Sequence, residues 1–135
     1  MKSDRIPIIL ESAEGLLRPE FNISGLTSGI VLIVGGLGCG KKRLARGIAK
    51  RSGYIHAGEL RQPFDWDRIV SEMGDVPVVA TYHAPDIPSA LERIHRDLSE
   101  NDQDLTIMGR IRSIVCVPPP HKPKVLSVLP NPWKT

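Results

Sequence analysis

Four glycines fall within six positions, Gly35, Gly36, Gly38 and Gly40, and Lys41 follows at once. Gly35 and the Gly40–Lys41 pair stand at the G-x-x-x-x-G-K spacing of a loop that grips phosphate. The residue types suit that chemistry. Glycines let successive backbone N–H groups curl around an anion, a following helix adds positive potential at its start, and a lysine reaches the outer phosphates as a point charge. With Cys39 and Lys42 included, the candidate phosphate-binding set is Gly35, Gly36, Gly38, Cys39, Gly40, Lys41 and Lys42. The position after the lysine departs from the usual pattern, in which a Ser or Thr hydroxyl ligates the nucleotide's Mg²⁺. Lys42 has no side-chain oxygen and repels a cation, so Mg²⁺ is disfavoured and no metal site is assigned. The plain alternative is a glycine-rich turn in any α/β protein.

Such a loop needs a strand before it and a helix after it. Ile30–Val34 is an unbroken apolar run, four of its five residues β-branched, as in a strand buried on both faces. The Ala- and Arg-rich run from Lys41 is helical to about Arg51. Further along, Tyr54–Ala57 reads as a short strand with Glu59 just past its end, Phe64–Met73 as a helix stopped by Gly74, and Val76–Thr81 as a second buried strand leading to His83. Phe64, Ile69 and Met73 are expected on one face of that helix. Ligands of open parallel sheets bind at the C-terminal edge, where an acid such as Glu59 can activate water or hold a metal. Taken singly, Glu59 is also readable as an exposed loop acid and His83 as a structural histidine.

Pro88–Glu100 is a helix with Ala90, Leu91, Ile94 and Leu98 on one face and a Glu92–Arg96 pair on another. Leu105–Met108 reads as a short helix, and Ser113–Val117 and Lys124–Leu129 as strands joined by a proline-rich connection that suits a wide hairpin. Ile8–Leu10 is either a short strand or the lead into a helix over Leu10–Leu17. The whole chain of 135 residues reads as one domain, with a lead-in over 1–28 and an extended tail over 118–135 that holds six of the 12 prolines.

Apolar residues make up 41% but aromatics only 4%, so the core must be aliphatic. No apolar run approaches the ~20 residues of a membrane span, which argues against membrane insertion. Cys39 and Cys116 have no metal-ligand spacing, and a reducing cytoplasm suits them; Cys39, beside a helix start, is expected to be reactive. The net charge of +3 makes no case for nucleic acid. Lys41, Lys42, Arg43, Arg46, Lys50 and Arg51 nevertheless cluster on one helix, read first as a solvated face and otherwise as a subunit contact or a nucleic-acid patch.

The order of Gly29–Lys41, Ala57-Gly58-Glu59-Leu60-Arg61, Val76–His83 and Ala90-Leu91-Glu92-Arg93-Ile94 resembles the secretion and pilus ATPases, above all the PilT-type retraction and type II/IV secretion motors. Ile111–Val115 and Lys124–Asn131 resemble that family's closing strands, so the likeness spans roughly 16–132. It implies a P-loop NTPase (RecA-like) fold, an α/β three-layer sandwich with a reduced, mostly parallel sheet and a C-terminal antiparallel hairpin. It also implies that Gly35–Lys41 hold the triphosphate, that Glu59 polarises the attacking water, that His83 faces the γ-phosphate, and that Arg61 is the arginine of the Walker B segment.

Three departures stand beside these. Lys42 replaces the metal-binding hydroxyl, Gln62 an acid and Ala84 a threonine. Only the 17 residues Lys42–Gly58 separate the loop lysine from Glu59, where the family has a further strand and helix carrying an acidic box and arginines that reach a neighbouring subunit. Without that outer strand, the Glu59 strand is expected at the edge of about four central strands. The reading is an ATP-binding relative of these motors with weak or no hydrolysis, whose expected protein partner is a second copy of itself or a related motor ATPase. The alternatives are a non-catalytic modulator of a full-length motor ATPase and a small P-loop kinase.

Overall fold

The computed structural model describes residues 8–10, 13–73, 76–100, 106–121 and 125–133. Six strands form one sheet: β1 (Ile8–Leu10), β2 (Ile30–Gly35), β3 (Ile55–Leu60), β4 (Val78–His83), β5 (Ile111–Cys116) and β6 (Leu126–Pro130). Their order across the sheet is β1-β6-β5-β2-β4-β3. The contiguous set β5, β2, β4 and β3 is parallel, and β6 closes antiparallel on β5 with β1 antiparallel beyond it.

All six residues of β2 are buried, as its apolar run requires. Alternate residues serve opposite faces. Val31 and Ile33 pack with Ala45 and Ile48 of α1 (Lys41–Ser52), together with Leu16, Phe21 and Ile23 of the lead-in. Ile30, Leu32 and Val34 pack on the other face against Trp66 and Ile69 of α2 (Phe64–Met73), Ala90, Ile94 and Leu98 of α3 (Ile87–Glu100), and Ile107 of α4 (Thr106–Arg110). The result is a helix–sheet–helix sandwich.

Several boundaries move from their sequence-based places. The expected strand at Tyr54–Ala57 runs from Ile55 to Leu60, so Glu59 is not past the strand but inside it. Pairing with β4 continues to Leu60↔Tyr82, across a register shift between His56 and Gly58 that no local pattern announces. The strand expected at Val76–Thr81 starts and ends later, because its pairing with β2 runs from Ile30↔Val78 to Gly35↔His83. Phe64 is 63% exposed; Trp66, at 1%, takes the core position instead. The lead-in is a strand at Ile8–Leu10 followed by 3₁₀ turns at Ala13–Leu17 and Pro19–Phe21. Glu92 and Arg96 form no ion pair; the neighbouring Arg93 instead donates to the His83 carbonyl at 3.1 Å. Gly74, Leu105 and Lys124, expected at element ends, lie outside the described residues.

The shortened interval behaves as expected: only Gly53 and Tyr54 join α1 to β3, and β3 is the sheet's edge. Tyr54 also anchors the lead-in. Its hydroxyl donates to Ile23 O at 2.6 Å and accepts from Leu26 N at 2.8 Å. Tyr54→Phe leaves both backbone groups unpaired and is expected to lower unfolding stability by about 1–3 kcal/mol in urea titration. A change under a few tenths of a kcal/mol would show that water replaces the hydroxyl.

Candidate functional site

Three parallel strands end together around Gly35. Gly35 closes β2, with His83 opposite on β4, and Ala84 N donates to Gly35 O at 3.3 Å. On the other flank Val117 N donates to Val34 O at 2.9 Å. This crowding is why residue 35 is glycine: a Cβ there would lie 2.5 Å from Cys39 Sγ and 3.1 Å from Val117 O. The loop then passes through Gly38 and Gly40 at φ 72° and 90°, a region that side chains resist, before α1 begins at Lys41. Leu37 at the loop's tip is 86% exposed. No side chain caps the helix start, and its first turn holds no acid. Its backbone N–H groups therefore offer positive potential without a built-in counter-charge.

Lys41 is 8% exposed, although it is charged and stands at a helix start. Its Nζ donates to Gly36 O at 3.3 Å and lies 3.6 Å from Glu59 Oε1. Glu59 comes from β3, two strands away, and reaches across β4, where Thr81 is its register partner. The other carboxylate oxygen of Glu59 accepts from Arg61 Nε, and the Arg61 side chain itself is 75% exposed. The Arg61 hydrogen bond, helped by the charges of Lys41 and Arg61, holds the Glu59 carboxyl below the usual range although burial opposes it.

The turn after β3 is fixed by Asp65, whose Oδ2 accepts from Arg61 N at 2.8 Å and Gln62 N at 2.9 Å. Burial raises the Asp65 pKa, but these N–H groups and Arg68 outweigh it and leave the net shift downward. Asp65 is therefore a positioning residue.

The expected residues thus meet unequally. Gly35, Gly36, Gly38, Cys39, Gly40, Lys41, Glu59 and Arg61 share one corner of the sheet. His83 is exposed at the end of β4, level with Gly35, with no hydrogen bond or ion pair to Lys41 or Glu59, whose partners are Gly36 O, Arg61 and each other. Lys42 is exposed on α1. No group of three or more His, Cys, Asp or Glu side chains among the described residues is placed to hold a metal. Sequence reading also missed His56, on β3 beside α1, whose Nε2 is buried without a partner. Burial first, then Arg46 and Lys42, lower its pKa.

No family profile matches the sequence, and no curated protein sequence matches it. Among solved structures it is similar to the ATPase DotB of Legionella pneumophila, with a TM-score of 0.57 and 14% identity over 93% of this chain. The chain spans about half that ATPase, covering 52% of it. At such identity the likeness speaks for the fold alone: a mixed α/β fold with a mostly parallel sheet, similar to part of that ATPase. No helix among the described residues is long and apolar enough to cross a membrane.

Two expectations follow. Gly35→Ala should destabilise the protein by about 1–3 kcal/mol through overpacking, and Cys39→Gly added to it should recover most of that loss in denaturant unfolding. Strict additivity of the two changes would separate Gly35 from Cys39. For Glu59 the folded pKa is depressed, so its contribution to stability is present above the ordinary glutamate pKa and is lost as pH falls through the folded value. The Glu59 carboxyl ¹³C titration should therefore have a midpoint below that of a free glutamate and move up in Arg61→Ala; an unmoved midpoint would remove Arg61 as the main cause.

Proposed function

We propose that this chain is a nucleotide-binding relative of the secretion and pilus motor ATPases that holds ATP on the 35–42 loop and hydrolyses it weakly or not at all. One observation carries the proposal. A buried lysine ammonium points back into its own glycine loop, 3.3 Å from Gly36 O, with the Glu59 carboxylate 3.6 Å away on its other side. Such an ammonium is held by weak, replaceable contacts until an anion takes their place.

Open space around the loop supports this reading: a Cβ built on Gly36, Gly38 or Gly40 meets nothing within 4 Å, so these glycines face solvent beside an uncapped helix start. Bound there, ATP would be held by the loop amides and Lys41, with Lys42 at the rim. Displacement of Lys41 from Glu59 would free that carboxylate to accept a hydrogen bond from water, the role the family resemblance gives it, while Arg61 keeps it ionised. The residues do not fit Mg²⁺: the hydroxyl position is Lys42, and the Lys41–Glu59–Arg61 chain leaves its single acid facing two cations. Without a metal and without groups from the absent segment, transition-state charge is poorly neutralised, which is the reason for assigning slow turnover.

A second reading, a non-catalytic modulator of a full-length motor, draws on the two-residue link between α1 and β3, which leaves β3 as an edge strand where the resemblance expects further structure. A kinase reading has no comparable support.

Calorimetric titration with ATP, with and without Mg²⁺, tests the proposal. Binding should be nearly indifferent to the metal, and Lys41→Ala should weaken it about tenfold or more, the loss expected for one charge-assisted contact. Absence of binding would overturn the assignment, and binding that requires Mg²⁺ would overturn its metal-free form. Co-purification with a motor ATPase and no binding of ATP would favour the second reading.

A further inference from the structure

Between Glu20 and Glu59 the chain has no acidic residue, yet six lysines and arginines. The fold buries one of them, Lys41, and leaves Lys42, Arg43, Arg46, Lys50 and Arg51 exposed on α1. Lys42, Arg46 and Lys50 recur every four residues, so they form one row with a rise of about 6 Å between successive members. Arg43 and Arg51 flank a second row around Gly47, where a Cβ would meet nothing within 4 Å. Three arginines elsewhere pair with acids, Arg18 with Glu20, Arg61 with Glu59 and Arg68 with Asp65, while Arg93 and Arg112 donate to backbone carbonyls. None of the five α1 cations has an ion pair among the described residues. Their field is felt locally, since Arg46 and Lys42 both help to lower the pKa of His56.

We infer that the exposed face of α1 is a second binding surface, separate from the nucleotide loop, which takes the phosphate backbone of a nucleic acid without reading its bases. The net charge of +3 conceals this face because acids elsewhere in the chain offset it.

Other polyanionic partners fit less well. A membrane-surface helix needs apolar residues to insert, and those of α1 face the sheet: Ala45, Ile48 and Ala49 are buried and Leu44 is half-buried against the same cluster. A protein interface is anchored by aromatic or apolar side chains in pockets, and this face has none. A second copy of the chain offers no row of acids to match it in its described helices: exposed residues of α3 mix Glu92 and Glu100 with His95 and Arg96, and in the first turn of α2 Asp65 is already paired with Arg68, which leaves Asp67. Rows of unpaired cations without aromatic neighbours suit repeated phosphates and offer bases nothing to stack on.

The test is fluorescence anisotropy of a labelled oligothymidylate and of a mixed-sequence duplex, without nucleotide, from about 50 to about 200 mM KCl. Both should bind, and log K for the single strand should fall with log salt at a slope of about −3, since each neutralised phosphate contributes about −0.7. The triple variant Arg46→Glu/Lys50→Glu/Arg51→Glu, clear of the glycine loop, should lose at least about tenfold in affinity and flatten the slope, with melting temperature and ATP binding retained. Equal binding by wild type and variant, or none at about 50 mM KCl, would overturn the inference. So would binding confined to phosphatidylglycerol vesicles, or self-association in sedimentation that the variant abolishes, if neither oligonucleotide binds.

Discussion

Everything in this fold follows from a strand that cannot show either face to water. β2 is apolar at every position and buried at every position, so helices must cover both sides of it. Covering both sides requires parallel neighbours linked by crossovers, and these bring the ends of β2, β4 and β5 to one edge. At that edge the chain is so crowded that residue 35 has room for no side chain. The glycine loop is the means by which a buried strand turns into a helix under that constraint.

The lysine beside the loop is the second constraint. A buried ammonium needs partners, and Lys41 finds one in its own loop and one on an edge strand contributed by a different part of the chain. Glu59 is shared with Arg61, whose backbone N–H is in turn held by Asp65. A short chain of charges thus runs from the sheet interior to solvent. It keeps Glu59 ionised and aimed at the loop, and it leaves no vacant acid for a divalent cation.

The charge of the chain is segregated more strongly than its total suggests. α1 presents cations outward, while the far side of the sheet carries mixed charge on α2 and α3. Because α1 begins at the glycine loop, its N-terminal positive potential and its basic rows form one continuous electropositive surface. The glycine loop and the α1 face are nevertheless distinct in structure: one is a turn of backbone, the other a row of side chains.

Local sequence was enough to locate β2, the loop, α1 and α3, because each is set by short-range pattern: a β-branched run, glycines at fixed spacing, and apolar residues at helical period. The family resemblance, with the brevity of the interval from Lys41, also put the strand leading to Glu59 at the sheet's edge, though with Glu59 just past its end rather than within it. What it left unresolved depends on pairing between distant segments. The length of β3 and the aim of Glu59 come from register with β4 and the shift before Gly58. The preference for Trp66 over Phe64 in the core comes from the space beside Tyr82, whose ring lies 6.1 Å away. The burial of Lys41 came from tertiary structure alone, because a charge enters the interior only where segments remote in sequence have already assembled its partners.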